Sequence, residues 1–283
     1  MTWRDAKVWT AKTALIQTLA LIAGLWVASD LGYYLILPRL SLIPDYNQSP
    51  VSIATYYFFW VGVAVILFFR TYCTWPIYAK WIAFENRPLS LALWIGFFAA
   101  ATTFTGVILP ALPPFQWPPD WGMPPELPLA NTLYFLPKSI EILFQQLLVI
   151  ALVLTLAAEG FSLRKTSIFC ALMFGGVHVL LVFDQVPWSF VIRFVGLATG
   201  FGLVFPVLIL RVRNGFAYAY ALHWGYYALT VYLARAVGPE TFLNYLNARF
   251  GIRGARLGPG ARGDPAKSSA LMMQIKACDL RLC

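Results

Sequence analysis

The sequence predicts an all-α, polytopic membrane helical bundle with about seven transmembrane helices. Two observations carry the prediction. Hydrophobic residues fill 60% of the 283 positions while charged residues fill 12%, about half the charge of a soluble domain. The apolar residues also lie in long blocks rather than in short amphipathic periods. Mean hydropathy over the chain is +0.69.

In chain order, the blocks predict spans over 13–37, 51–70, 90–112, 131–157, 167–183, 189–210 and 215–237, each near the ~20 residues that cross a bilayer. Arg4, Lys7 and Lys12 precede the first span, and "VAS" before Asp30 resembles a signal-peptide cleavage site. The apolar run continues through Leu31, Tyr33 and Leu35, which reads as a retained helix. The segment "TWPIYAKWIAF" (74–84) mixes Trp, Tyr and Lys and reads as an interfacial helix. Three regions follow: N-terminal transmembrane helices over 1–130, a core of helices over 131–237, and a basic tail over 238–283.

Positive charge sets the orientation. Arg4, Lys7, Lys12, Arg70, Lys80, Arg87, Arg164, Lys165, Arg211 and Arg213 fall at one set of span ends, while the opposite loops carry Arg39, Asp45, Asp120, Glu126 and Asp184. The asymmetry predicts a cytoplasmic N-terminus. From Gly251 onward six basic residues stand against two aspartates, a composition that reads as a disordered tail suited to anionic lipid. No nucleic-acid partner is expected. Cys73, Cys170, Cys278 and Cys283 form neither a disulfide framework nor a zinc pattern.

The ionisable residues inside the spans are functional candidates, because charge in hydrocarbon is expensive. Glu141 lies in the fourth span and His178 in the fifth. His223 lies in the seventh, and the chain has no other histidine. Gln145 and Gln146 follow Glu141, and Lys138 precedes it at i−3, near enough for an ion pair. A carboxylate and two imidazoles in a wet intramembrane cavity suit hydrolysis. Either the carboxylate takes a proton from water while the imidazoles steady the oxyanion, or all three hold a zinc ion that acidifies the water. The bland readings are a Lys138–Glu141 ion pair at the helix start and histidines that glue helices together. Asp30 and Arg193, also within apolar runs, receive no role.

The stretch 131–230 resembles the CPBP family of intramembrane proteases, which includes CAAX-processing enzymes and bacterial bacteriocin-processing or self-immunity proteins. That family carries Glu-Glu-x-x-x-Arg, Phe-x-x-x-His and His-x-x-x-Asn/Asp on successive helices. Phe174-Gly-Gly-Val-His178 matches the second motif. "GLATGFGLVFPVLILRVRNGFAYAYALHWGYYAL" (196–229) is similar to the Gly-rich helix, basic turn and final helix, with His223 in the histidine position and Tyr227 where Asn or Asp is usual. The first motif departs: "SIEILFQQLL" has one glutamate and no arginine. In one register Glu141 is the leading glutamate, with Ile142 and Gln146 replacing the second glutamate and the arginine. In the other, Glu141 is the second glutamate and Gln145 replaces the arginine.

The resemblance implies an intramembrane endopeptidase, a hydrolase of glutamic or metallo type, in a bacterial plasma membrane. Glu141 would activate water, His178 and His223 would assist, and Gln145, Gln146, Phe174 and Tyr227 would support. Zinc on Glu141, His178 and His223 is the only cofactor this set implies. The partners would be a membrane-associated protein or peptide substrate and membrane lipids. The alternatives are a catalytically degenerate CPBP-like scaffold or binding protein, and a haem protein using the two histidines as axial ligands.

Overall fold

A computed structural model describes residues 12–40, 45–75, 87–117, 126–179, 188–239 and 241–242. The interfacial segment over 76–84, the basic tail from residue 243, Arg4, Lys7, Lys80, Asp120, Asp184, Cys278 and Cys283 lie outside the described residues. Those described are helical or irregular, with no strand among them.

Among the described residues, seven long helices make up most of the structure: α1 (Lys12–Leu31), α2 (Pro50–Cys73), α3 (Arg87–Thr103), α4 (Phe135–Ala158), α5 (Leu163–Val177), α6 (Trp188–Arg211) and α7 (Gly215–Val237). Among the described residues, five helical stretches are long and apolar enough to cross a membrane: Leu15–Arg39, Pro50–Cys73, Pro88–Ala111, Thr132–Ala158 and Val191–Arg211. The architecture is that of a helical membrane bundle. The fifth and seventh expected spans correspond to α5 and α7, which fall outside these five. With 15 residues, α5 is about 22 Å long, short of a full hydrocarbon crossing. Helix α7 is long enough at 23 residues, but it carries Tyr218, Tyr220, His223, Trp224, Tyr226 and Tyr227 along its length.

Proline shapes two helix ends in the same way. Helix α1 widens into a π-turn over Gly32–Ile36 before Leu37-Pro38, with the Leu37 amide donating to the Gly32 carbonyl. Helix α3 does the same over Phe104–Ile108 before Leu109-Pro110, with Leu109 donating to Phe104. A proline ring crowds the carbonyl four residues back and offers no N–H. Shifting the bond to i−5 makes room for it.

Helix α4 is the centre of the bundle. Of its most apolar window 78% is buried, against 6% for that of α3. It packs on α1, α2, α5, α6 and α7, and one buried cluster runs from Ile22 on α1 to Val231 on α7. Helices α5 and α6 approach closely through small residues. A Cβ at Gly202 would overlap the backbone of Ala171, and one at Gly175 would overlap the Thr199 hydroxyl. Such contacts let backbones meet where no hydrophobic effect drives helices together. Between α6 and α7 the chain reverses at Asn214, which is left-handed at φ 56°, a conformation Asn tolerates.

Candidate functional site

Two adjoining groups of polar side chains lie along α4. The first is charged. Glu141 lies six residues into α4 and is 9% exposed. Its Oε2 accepts from Lys138 Nζ at 2.5 Å and from the Tyr46 hydroxyl at 2.5 Å, and its Oε1 accepts from Gln145 Nε2 at 2.9 Å. Lys138 is enclosed by phenol rings, with Nζ 4.4 Å from the centroid of Tyr46, 4.8 Å from that of Tyr227 and 5.7 Å from that of Tyr134. These faces attract a cation. Charge and aromatic shell together satisfy the pair locally.

Tyr46 comes from the short connection between α1 and α2, and the sequence explains how it is held. Asp45 folds an Asx turn, with Oδ1 accepting from the amides of Asn47 and Gln48 at 2.6 and 3.0 Å, the local bonding Asp favours in turns. Asn47 then pairs with Asn131: the Asn131 amide donates to Asn47 Oδ1 at 2.8 Å, and Asn131 Nδ2 donates to the Asn47 carbonyl at 3.3 Å. Asn131 in turn caps the turn leading into α4 by accepting from the Tyr134 amide. The connection is thereby pinned to the start of the helix that carries Glu141. Burial first, and the neighbouring carboxylate second, push the Tyr46 phenol well above its ordinary range, so it stays protonated and donates.

The second group is neutral. His178 follows the last turn of α5, and its Nδ1 lies 2.7 Å from the Phe174 carbonyl. His223, at the middle of α7, is 2% exposed, and its Nδ1 lies 3.2 Å from Gln146 Nε2. The Phe174 ring touches both, with centroids 5.0 Å from His178 and 5.7 Å from His223. Both imidazoles line one cavity of about 10 Å³, whose wall is otherwise aromatic and aliphatic and includes Phe174, Phe194, Phe201, Tyr226 and Tyr227. That is the room one water molecule needs. Tyr227 belongs to both groups: its ring is 4.8 Å from Lys138 Nζ and 5.6 Å from the His223 ring. The amide oxygens of Gln145 and Gln146 are buried and accept no hydrogen bond.

The seven residues singled out from sequence are thus neighbours, but they do not form one constellation. His178, His223, Phe174 and Tyr227 line the cavity, with Gln146 behind His223. Glu141 and Gln145 belong to the charged group, and Glu141 is not among the residues lining the cavity. The zinc alternative needs correction. Among the described residues no three His, Cys, Asp or Glu side chains come together as a metal-ligand group. The Glu141 oxygens are occupied by Lys138, Tyr46 and Gln145, so the donor set does not fit zinc. Sequence reasoning missed Tyr46, Tyr134, Phe194, Phe201 and Tyr226. The Asx-turn pattern of Asp45-Tyr46-Asn47 was legible, but its target 95 residues away was not.

No protein-family model, no curated protein and no solved structure matches the chain.

Proposed function

We propose that this chain is an integral-membrane hydrolase, a diverged endopeptidase of the CPBP type that cleaves a membrane-associated protein or peptide with water bound between His178 and His223. One observation carries the reading: the chain's only two histidines, on different helices, line a single water-sized cavity in the bundle. Peptide hydrolysis needs a water and polar groups to steer it, and intramembrane polar groups persist where they border such a cavity. The reading includes a bacterial plasma membrane, contact with its lipids, and a cytoplasmic N-terminus, on the same side as Arg70, Arg164, Lys165, Arg211 and Arg213.

The test compares membrane-protein N-termini in cells carrying wild type or a His178→Ala/His223→Ala double variant at equal abundance. Termini that disappear in the variant support proteolysis and name the substrates. Identical termini overturn it. A second reading, a catalytically silent binding protein of the same descent, is favoured by the closed state of Glu141, whose two oxygens already accept three hydrogen bonds. It predicts that the double variant still captures the partners that wild type captures.

A further inference from the structure

We infer that the two imidazoles are opposite tautomers that make an acid–base pair across the cavity, and that His178, rather than Glu141, is the base that takes the proton of the reacting water. The chemistry rests on the hydrolase reading; the tautomers rest on hydrogen bonding alone.

A carbonyl oxygen only accepts, so His178 Nδ1, 2.7 Å from the Phe174 carbonyl, carries the hydrogen. In a neutral imidazole the other nitrogen then has a free lone pair. His178 therefore offers Nε2 as an acceptor. His223 is wired the other way. With the Gln146 amide in its present orientation, Nε2 is the group facing His223 Nδ1 at 3.2 Å. An amide nitrogen only donates, so Nδ1 accepts and His223 carries its hydrogen on Nε2. With both Nδ1 atoms tied to protein, the Nε2 edges are the ones left for the cavity that both rings line. One edge is a base and the other a donor, and the cavity that both residues line, about 10 Å³, suits one water.

Glu141 is poorly disposed for the same task. It does not line the cavity, Lys138 and Tyr46 share its Oε2, and Gln145 occupies its Oε1. The reaction balances without it. The water oxygen bonds to the peptide carbonyl carbon as one water proton passes to His178 Nε2. The carbonyl oxygen, now negative, accepts from His223 Nε2–H. His178 then returns the proton to the amide nitrogen, the C–N bond breaks, and an acid and an amine leave. The Phe174 carbonyl holds Nδ1–H throughout and steadies the imidazolium.

The chain has two histidines, so ¹⁵N-histidine labelling of the full protein in lipid nanodiscs gives four ring-nitrogen signals, assigned by His178→Ala and His223→Ala. The expected result is Nδ1–H for His178 and Nε2–H for His223. Any other pair of tautomers overturns the inference. In cells, His178→Ala should lose the wild-type-dependent N-termini, and added imidazole should restore part of them. Their retention in His178→Ala overturns the base role even with the expected tautomers. If wild type and empty vector give the same termini, the hydrolase reading fails and the base role with it, while the tautomer measurement still decides the pair.

Discussion

Replacing Lys138 by Met separates a closed charge cluster from a loose one. The Lys138–Glu141 side chains are 9% and 11% exposed and their charged atoms lie 2.5 Å apart. Three tyrosine rings enclose the ammonium. Met keeps the length and apolar stem of Lys but leaves the Glu141 carboxyl with only Tyr46 and Gln145 as donors. Breaking one side of a buried pair costs about 3–5 kcal/mol, because the remaining charge is uncompensated. For a chain of this size that corresponds to a fall of roughly 10 °C in unfolding midpoint. Adding Glu141→Gln to the same chain removes the orphaned charge while keeping an acceptor for Tyr46, and should recover more than half of the loss. The assay is thermal unfolding in detergent of wild type, both single variants and the double, read as a double-mutant cycle. A Lys138→Met midpoint within about 2 °C of wild type, or a double variant no more stable than Lys138→Met, would refute a buried, coupled pair.

Three further outcomes follow from individual contacts. Tyr46→Phe keeps the ring over Lys138 and removes one donor to a carboxylate, a loss of about 1.5–3 kcal/mol, measurable as a lower unfolding midpoint. Gly202→Ala should destabilise by about 1–3 kcal/mol, because the new Cβ meets the Ala171 backbone; Gly200→Ala, where nothing lies within 4 Å, should not. In a Cys278→Ser/Cys283→Ser background the exposed Cys73 should react with a membrane-impermeant maleimide only after cells are opened, and the buried Cys170 should stay unreacted; labelling of Cys73 on intact cells would reverse the proposed orientation.

Hydropathy made the long helices legible, because it reports what lipid sees. The spans expected over 51–70, 90–112, 131–157 and 189–210 correspond to Pro50–Cys73, Pro88–Ala111, Thr132–Ala158 and Val191–Arg211. The fifth drifted for a local reason. Ser162 caps α5, accepting from the Lys165 amide, so the helix starts in the polar sequence Leu163-Arg164-Lys165 that hydropathy discounts. The Lys138–Glu141 pair was legible because both partners sit one turn apart on one helix. Tyr46 was not, because no periodicity records which loop folds over which helix. The two histidines were conspicuous as ionisable residues inside apolar spans, whereas their hydrogen bonding depends on Phe174 and Gln146, whose positions are visible only in three dimensions.

The split at Tyr227 follows from what a low-dielectric interior tolerates. An ionised pair is stable there only when each partner is satisfied at close range, and Glu141 and Lys138 achieve this with phenols, an amide and each other. A group so completely satisfied has little left to offer a ligand. A neutral imidazole can be left with one edge unpaired at a much smaller cost, and both histidines are bonded through Nδ1 alone. Along α4 and the cavity beside it, unspent hydrogen-bonding capacity therefore lies at the imidazole edges, at the Gln145 and Gln146 oxygens and at the Tyr226 hydroxyl, more than at the carboxylate that the sequence made most conspicuous. In a membrane interior, the residue with a partner in reach becomes structure, and the residue without one is free to act.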